Sequence, residues 1–126
     1  KIMQAAERLR GVQIENKPAV DLMQRFNYKN VLIYLDPPYV LSARHGKQYR
    51  CEMDDKDHAK LLETAKAHKG PVLISGYESD MYNDYLHNWT KESFNSQAEH
   101  AGPRTEVVWM NYSRQLNLMD IPGVMP

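Results

Sequence analysis

VLIYLDPPYV, residues 31–40, is the stretch from which the fold of this 126-residue chain is read. Val31, Leu32, Ile33, Tyr34 and Leu35 run without a polar break, the pattern of a strand buried on both faces of a parallel sheet. Asp36, Pro37, Pro38 and Tyr39 then end it. Prolines donate no ladder hydrogen bond and hold the preceding residue extended, so the strand stops abruptly in a stiff turn. In open α/β sheets ligands bind just beyond the carboxyl ends of strands, where this turn must lie. The expected fold class is α/β.

The chemistry of the turn is narrow. Asp36 is an acceptor at neutral pH, and the Pro37 carbonyl is a second one, fixed in direction by the Pro38 ring. Tyr39 adds a flat aromatic face. Two acceptors and a ring suit a planar ligand with an exocyclic amino group, which describes adenine better than a sugar or a carboxylic acid. A purely structural turn, with Asp36 capping a backbone amide, is the competing explanation.

Four segments in order resemble one family: YLDPPY (34–39), YRCEMDDKDHAKLLE (49–63), LISGYESDMYNDYL (73–86) and RTEVVWMNY (104–112). They are similar to the C-terminal half of Dam-type DNA adenine N6-methyltransferases, as found in phages and prophages, and the likeness covers roughly 11–112. The resemblance implies a Rossmann-like, S-adenosylmethionine-dependent methyltransferase sheet ending in an antiparallel hairpin. It implies Asp36, Pro37, Pro38 and Tyr39 as catalytic residues, with Asp36 also touching the methionine end of the donor. It implies double-stranded DNA as the partner, a restriction–modification or phage setting, and the cytoplasm of a bacterial or phage-infected cell. The acidic first position goes with adenine, whereas related Asn-Pro-Pro-Tyr enzymes also methylate RNA guanine or protein glutamine. In this family the turn near Asn16 borders the cofactor and often carries an acid where this chain has Pro18.

Composition sets the bounds. The formal net charge is zero and the pI is about 7.1, so DNA contact must come from local patches rather than a global field. The loop from Leu41 to Arg50 is that patch: Arg44, His45, Lys47 and Arg50 with no acid, interleaved with Tyr49. Arg44, Lys47, Tyr49 and Arg50 are the expected DNA contacts, since phosphate neutralisation supplies most non-specific affinity. Cys51 is the single cysteine, which excludes an internal disulfide and suits a reducing compartment. No apolar run approaches the ~20 residues of a membrane span, and no membrane partner is expected. The five histidines and Cys51 lack ligand spacing, so no metal is expected.

Working outward, Lys1 to Arg10 is a helix stopped by Gly11, and Val12 to Ile14 a short strand. Asn16 is expected to cap a helix over Ala19 to Phe26, with Pro18 near its first turn. Asp54 caps the next helix, whose face carries His58, Leu61, Leu62 and Ala65 before Gly70. Pro71 to Ser75 is a second buried strand, and Gly76 a tight turn into a helix capped by Ser79. That places Ser75 and Tyr77 near the sheet edge that holds Asp36, with Tyr82 and Tyr85 as packing residues. Trp89 to Gln97 and Thr105 to Asn111 form the hairpin, and residues 113–126 a weakly ordered tail.

The six glycines include no Gly-x-Gly, so the donor's glycine-rich turn and the upstream recognition segment are missing from the sequence. Residues 1–112 therefore read as a partial catalytic domain. The opening at Lys1 suggests a fragment, completed by a missing N-terminal half or a complementing chain. A non-catalytic remnant that binds nucleic acid or a partner is the alternative from another functional class.

Overall fold

The structure, a computed structural model, describes residues 1–40, 50–98 and 102–113. Four strands form one mixed sheet in the order β1-β2-β4-β3. β1 is Ile33–Leu35, β2 Val72–Tyr77, β3 Thr90–Ala98 and β4 Gly102–Met110. β1 and β2 run parallel, Ile33 beside Val72, so their carboxyl ends share one edge. β4 lies antiparallel to β2 and forms the expected hairpin with β3.

Three helices cover one face. α2 (Ala19–Arg25), α3 (Asp55–Ala67) and α4 (Asp80–Tyr85) bring Met23, Leu61, Leu62, Ala65, Tyr82 and Leu86 onto Leu35, Val72, Ile74, Val107 and Trp109. In α3 the start follows from its acids. Asp54 accepts from the Asp57 backbone N–H, Asp57 answers to the Asp54 N–H, and the pair closes a capping box. That hydrogen bond also holds the Asp54 carboxyl below its ordinary value. Ser79 caps α4 by accepting from the Tyr82 backbone N–H at 3.3 Å. Asn111 clasps the sheet's far end, accepting from the Val72 N–H at 2.8 Å and donating to the Gly70 carbonyl at 3.0 Å.

Several expectations need correction. β1 is not buried on both faces: Leu35 is buried, but Leu32 and Tyr34 are 60% and 61% exposed. Among the described residues β1 has a partner on one side only, and the alternating pleat turns Leu32 and Tyr34 away from the helices. Residues 12–14 form no strand, because among the described residues no second segment offers them a ladder; Ile14 is 92% exposed. Asn16 does not cap α2, whose cap position is Pro18, without a side-chain hydrogen bond. Gly76 lies inside β2 rather than in a turn. α1 (Ile2–Leu9) forms as expected and ends before Gly11 at φ 87°, yet every residue of it is exposed. The tail expected at 113–126 lies outside the described residues beyond Ser113.

Candidate active site

The turn that follows β1 is pinned at both ends. Leu35 and Val40, 9% and 4% exposed, both enter the core, so the four residues between them form a short bridge across the sheet edge. Asp36 is exposed, while Pro37, Pro38 and Tyr39 are half-buried.

The bridge separates two spaces. On one side a cavity of about 750 Å³ lies between the start of α2, the end of β1 and the start of α3. Its wall includes Pro18, Tyr34, Asp36, Pro37, Pro38 and Met53. Three carboxylates (Asp21, Asp36, Asp57) and one lysine (Lys60) border it, a balance that favours a cationic ligand. On the other side a crevice of about 10 Å³ is lined by Pro37, Pro38, Tyr39, Val40, Ser75, Gly76, Tyr77 and Tyr82. Asp36 borders the first space and Tyr39 the second.

β2 supplies side chains to this rim. Residues Tyr34 and Asp36 fall on one face of the sheet by strand alternation, and the β1–β2 register puts Ser75 and Tyr77 on that same face. Ser75 Oγ donates to Asp36 Oδ1 at 2.9 Å. Tyr34 Oη lies 3.0 Å from Ser75 Oγ. Tyr39 and Tyr77 stack with ring centroids 3.6 Å apart and planes at 24°. One face of Tyr39 is thus covered by Tyr77 rather than open.

Behind the crevice sits a buried polar pair. His58 Nδ1 and Tyr82 Oη are 2.8 Å apart, and Tyr82 packs at 5.3 Å from the Trp109 ring. Burial pushes the Tyr82 phenol well above its ordinary value. The expectation that His58 and Tyr82 are packing residues holds. Away from the site, Lys91 and Asn83 both bond to Glu78 and hold its carboxyl below the usual range.

Of the residues expected from sequence, Asp36, Pro37, Pro38 and Tyr39 come together at the rim. Arg50 is exposed, and Arg44, Lys47 and Tyr49 lie outside the described residues. Among the described residues no three His, Cys, Asp or Glu side chains gather as metal ligands. No helix among them is long and apolar enough to cross a membrane. Sequence reasoning placed Ser75 near Asp36 without a role, and missed the Tyr34–Ser75 contact and the Tyr39–Tyr77 stack.

A family model described as D12 class N6 adenine-specific DNA methyltransferase matches residues 1–102, most of the chain. No curated protein matches it.

Proposed function

This chain belongs to the D12 class N6 adenine-specific DNA methyltransferase family, and we propose that its Asp36–Tyr39 rim methylates the N6 amino group of an adenine swung out of double-stranded DNA. The observation that carries the reading is the division of space by the tetrapeptide, with Asp36 facing a roomy acidic cavity and Tyr39 the crevice behind it.

In this reading the cavity is the donor site within a Rossmann-like methyltransferase sheet. Its 750 Å³ fall within the ~300–1,000 Å³ range of small-molecule sites. Its carboxylates suit S-adenosylmethionine, which carries an ammonium and a sulfonium, with Asp36 toward the methionine end. When bound, S-adenosylmethionine supplies a methyl group on positively charged sulfur. Everything else falls to the chain. The target adenine must leave the duplex, because a stacked base cannot bring its amine to the donor. Tyr39 stacks on the base, by its outer face or after Tyr77 swings aside. Asp36 and the Pro37 carbonyl accept the two amino hydrogens, which favours a pyramidal nitrogen with an available lone pair. As the nitrogen–methyl bond forms and the carbon–sulfur bond breaks, the two acceptors stabilise the positive charge on nitrogen. The extra proton leaves after transfer, so Asp36 acts by electrostatics rather than as an obligatory base. Removing one such preorganised acceptor costs on the order of 3 kcal/mol of transition-state stabilisation. Arg44, Lys47, Tyr49 and Arg50 contact the DNA backbone, and the enzyme works in the cytoplasm.

Residues 1–112 are proposed as one part of the catalytic domain, completed by a missing N-terminal half or a complementing chain that brings the glycine-rich donor turn. The open side of β1 and the exposed Leu32, Tyr34, Ile2, Met3 and Leu9 are the surface such a segment would cover. The absence of Gly-x-Gly also favours a second reading, a non-catalytic fragment that binds DNA.

Labelled methyl transfer separates the two. The chain, alone or with an upstream complementing segment, should label duplexes containing adenine and not those lacking it. Asp36→Ala should abolish labelling while the far-UV spectrum stays unchanged. Retained activity in Asp36→Ala, or labelling of RNA or protein instead, sinks the assignment. DNA binding with no transfer under either condition selects the non-catalytic reading.

A further inference from the structure

We infer that Ser75 and Tyr34 are positioning residues for Asp36, forming a one-way hydrogen-bond chain that occupies Oδ1 and leaves Oδ2 for the substrate amine. The inference rests on the methyltransferase reading above and adds two residues to it.

Donor counting gives the direction. An ionised carboxylate only accepts, so the Ser75 hydroxyl must donate to Asp36 Oδ1, as its 2.9 Å separation allows. Ser75 has a single hydrogen. The Leu35 carbonyl also lies near its oxygen, at 3.4 Å, but the shorter bond to a charged acceptor takes that hydrogen. The Ser75 oxygen is then left as an acceptor, and the Tyr34 hydroxyl, 3.0 Å away, must be the donor to it. Each O–H thus polarises the next, from Tyr34 through Ser75 to Asp36.

Strand geometry makes the chain possible. Leu35 is paired with Ile74, so the next residues along the two parallel strands, Asp36 and Ser75, lie side by side. Tyr34 is two residues before Asp36 and therefore on the same face. Asp36 itself is exposed and has two χ angles free to turn. Without Ser75 nothing else among its described hydrogen bonds selects one carboxylate oxygen over the other. Supporting hydrogen bonds of this kind set the precision of a reacting group.

The test has two independent readouts on the full chain. The first is the Asp36 side-chain rotamer, measured from three-bond couplings to its carboxyl carbon. Wild type should show one rotamer, Ser75→Ala averaged values, and Ser75→Thr, which keeps the hydroxyl, the wild-type values. Tyr34→Phe should fall between. Unchanged couplings in Ser75→Ala overturn the inference whether or not the protein is active. The second is methyl transfer in the wild-type preparation that supports it. Ser75→Ala should lower kcat about 10- to 100-fold, matching the loss of a hydrogen bond to a charged group. KM for the donor should stay within about twofold, and Ser75→Thr should restore kcat. An equal loss in Ser75→Thr, or a loss confined to KM, also overturns it. Inactive wild type with an ordered Asp36 rotamer would instead count against the methyltransferase reading alone.

Discussion

Gly70→Ala is a severe test of how β2 is seated against β1. An ideal Cβ at Gly70 would stand 2.5 Å from the Val31 carbonyl oxygen, 2.7 Å from that of Tyr28 and 3.0 Å from that of Lys29. All three are backbone atoms of one turn, and that turn is held. The Val31 N–H donates to the Tyr28 carbonyl, His68 Nε2–H donates to the Val31 carbonyl at 2.9 Å, and Lys69 N–H donates to Asn27 Oδ1 at 2.8 Å. Backbone conformation contributes nothing to the cost, since among the described residues only Gly11 has positive φ. The penalty is steric. Overpacking one methyl costs about 1–3 kcal/mol, and pulling Val31 away from His68 adds about 1 kcal/mol. We expect roughly 3 kcal/mol, a large share of the ~5–15 kcal/mol that holds a domain together. The matched control is Gly76→Ala, whose Cβ meets only Trp109 Cζ3, at 3.5 Å, an ordinary contact. In urea, followed by circular dichroism, Gly70→Ala should lower the midpoint by about 1 M or more. Gly76→Ala should leave it nearly unchanged. Equal midpoints for the two variants would refute the steric account and the close seating of β2 it describes.

Further expectations concern pH and buried polarity. Tyr82 has a raised phenol value because it is buried, so the folded state keeps its proton where the unfolded chain gives it up. Its contribution is complete below about pH 10 and is lost as pH rises beyond that; an alkaline unfolding titration of Tyr82→Phe should lack this part of the slope. The same variant removes the 2.8 Å hydrogen bond between His58 Nδ1 and Tyr82 and should cost about 1–3 kcal/mol at neutral pH, and a fully stable variant would contradict the pairing. Asp54 has a lowered value, caused first by the Asp57 backbone N–H, so its stabilisation is present at neutral pH and lost as pH falls below 3.8. Asp54→Ala should lower the melting temperature at pH 7 and flatten its decline in acid.

What the sequence could reveal depended on whether the signal was local. The start of α3 was legible because Asp54 and Asp57 meet within one turn, and no distant residue decides that. The hairpin was legible for a similar reason, since its two strands are neighbours in sequence and pair with each other, although Gly102 and Pro103 lie inside β4 rather than in the connection. The exposure of one face of β1 was not, because an apolar run states what could be buried and not what arrives to bury it. Ile14 shows the same limit: β-branched neighbours favour extension, but a strand exists only when a second one lies beside it.

The site divides along the same line. Asp36 to Tyr39 is contiguous, and its chemistry could be read from four letters. The Ser75 contribution could not, because it depends on the register between strands some 40 residues apart, and a one-residue slip exchanges every side chain between faces. Val72, Leu73 and Ile74 are all apolar, so they do not say which parity of β2 faces the helices. Gly76 does, once Trp109 is seen. The indole is 1% exposed and lies 3.5 Å from where a Gly76 Cβ would be, so Gly76 lies on the helix-covered face with Val72 and Ile74. Ser75 and Tyr77 are then committed to the opposite face, beside Asp36 and Tyr39. The residue with no side chain thus decides where two chemically useful ones stand.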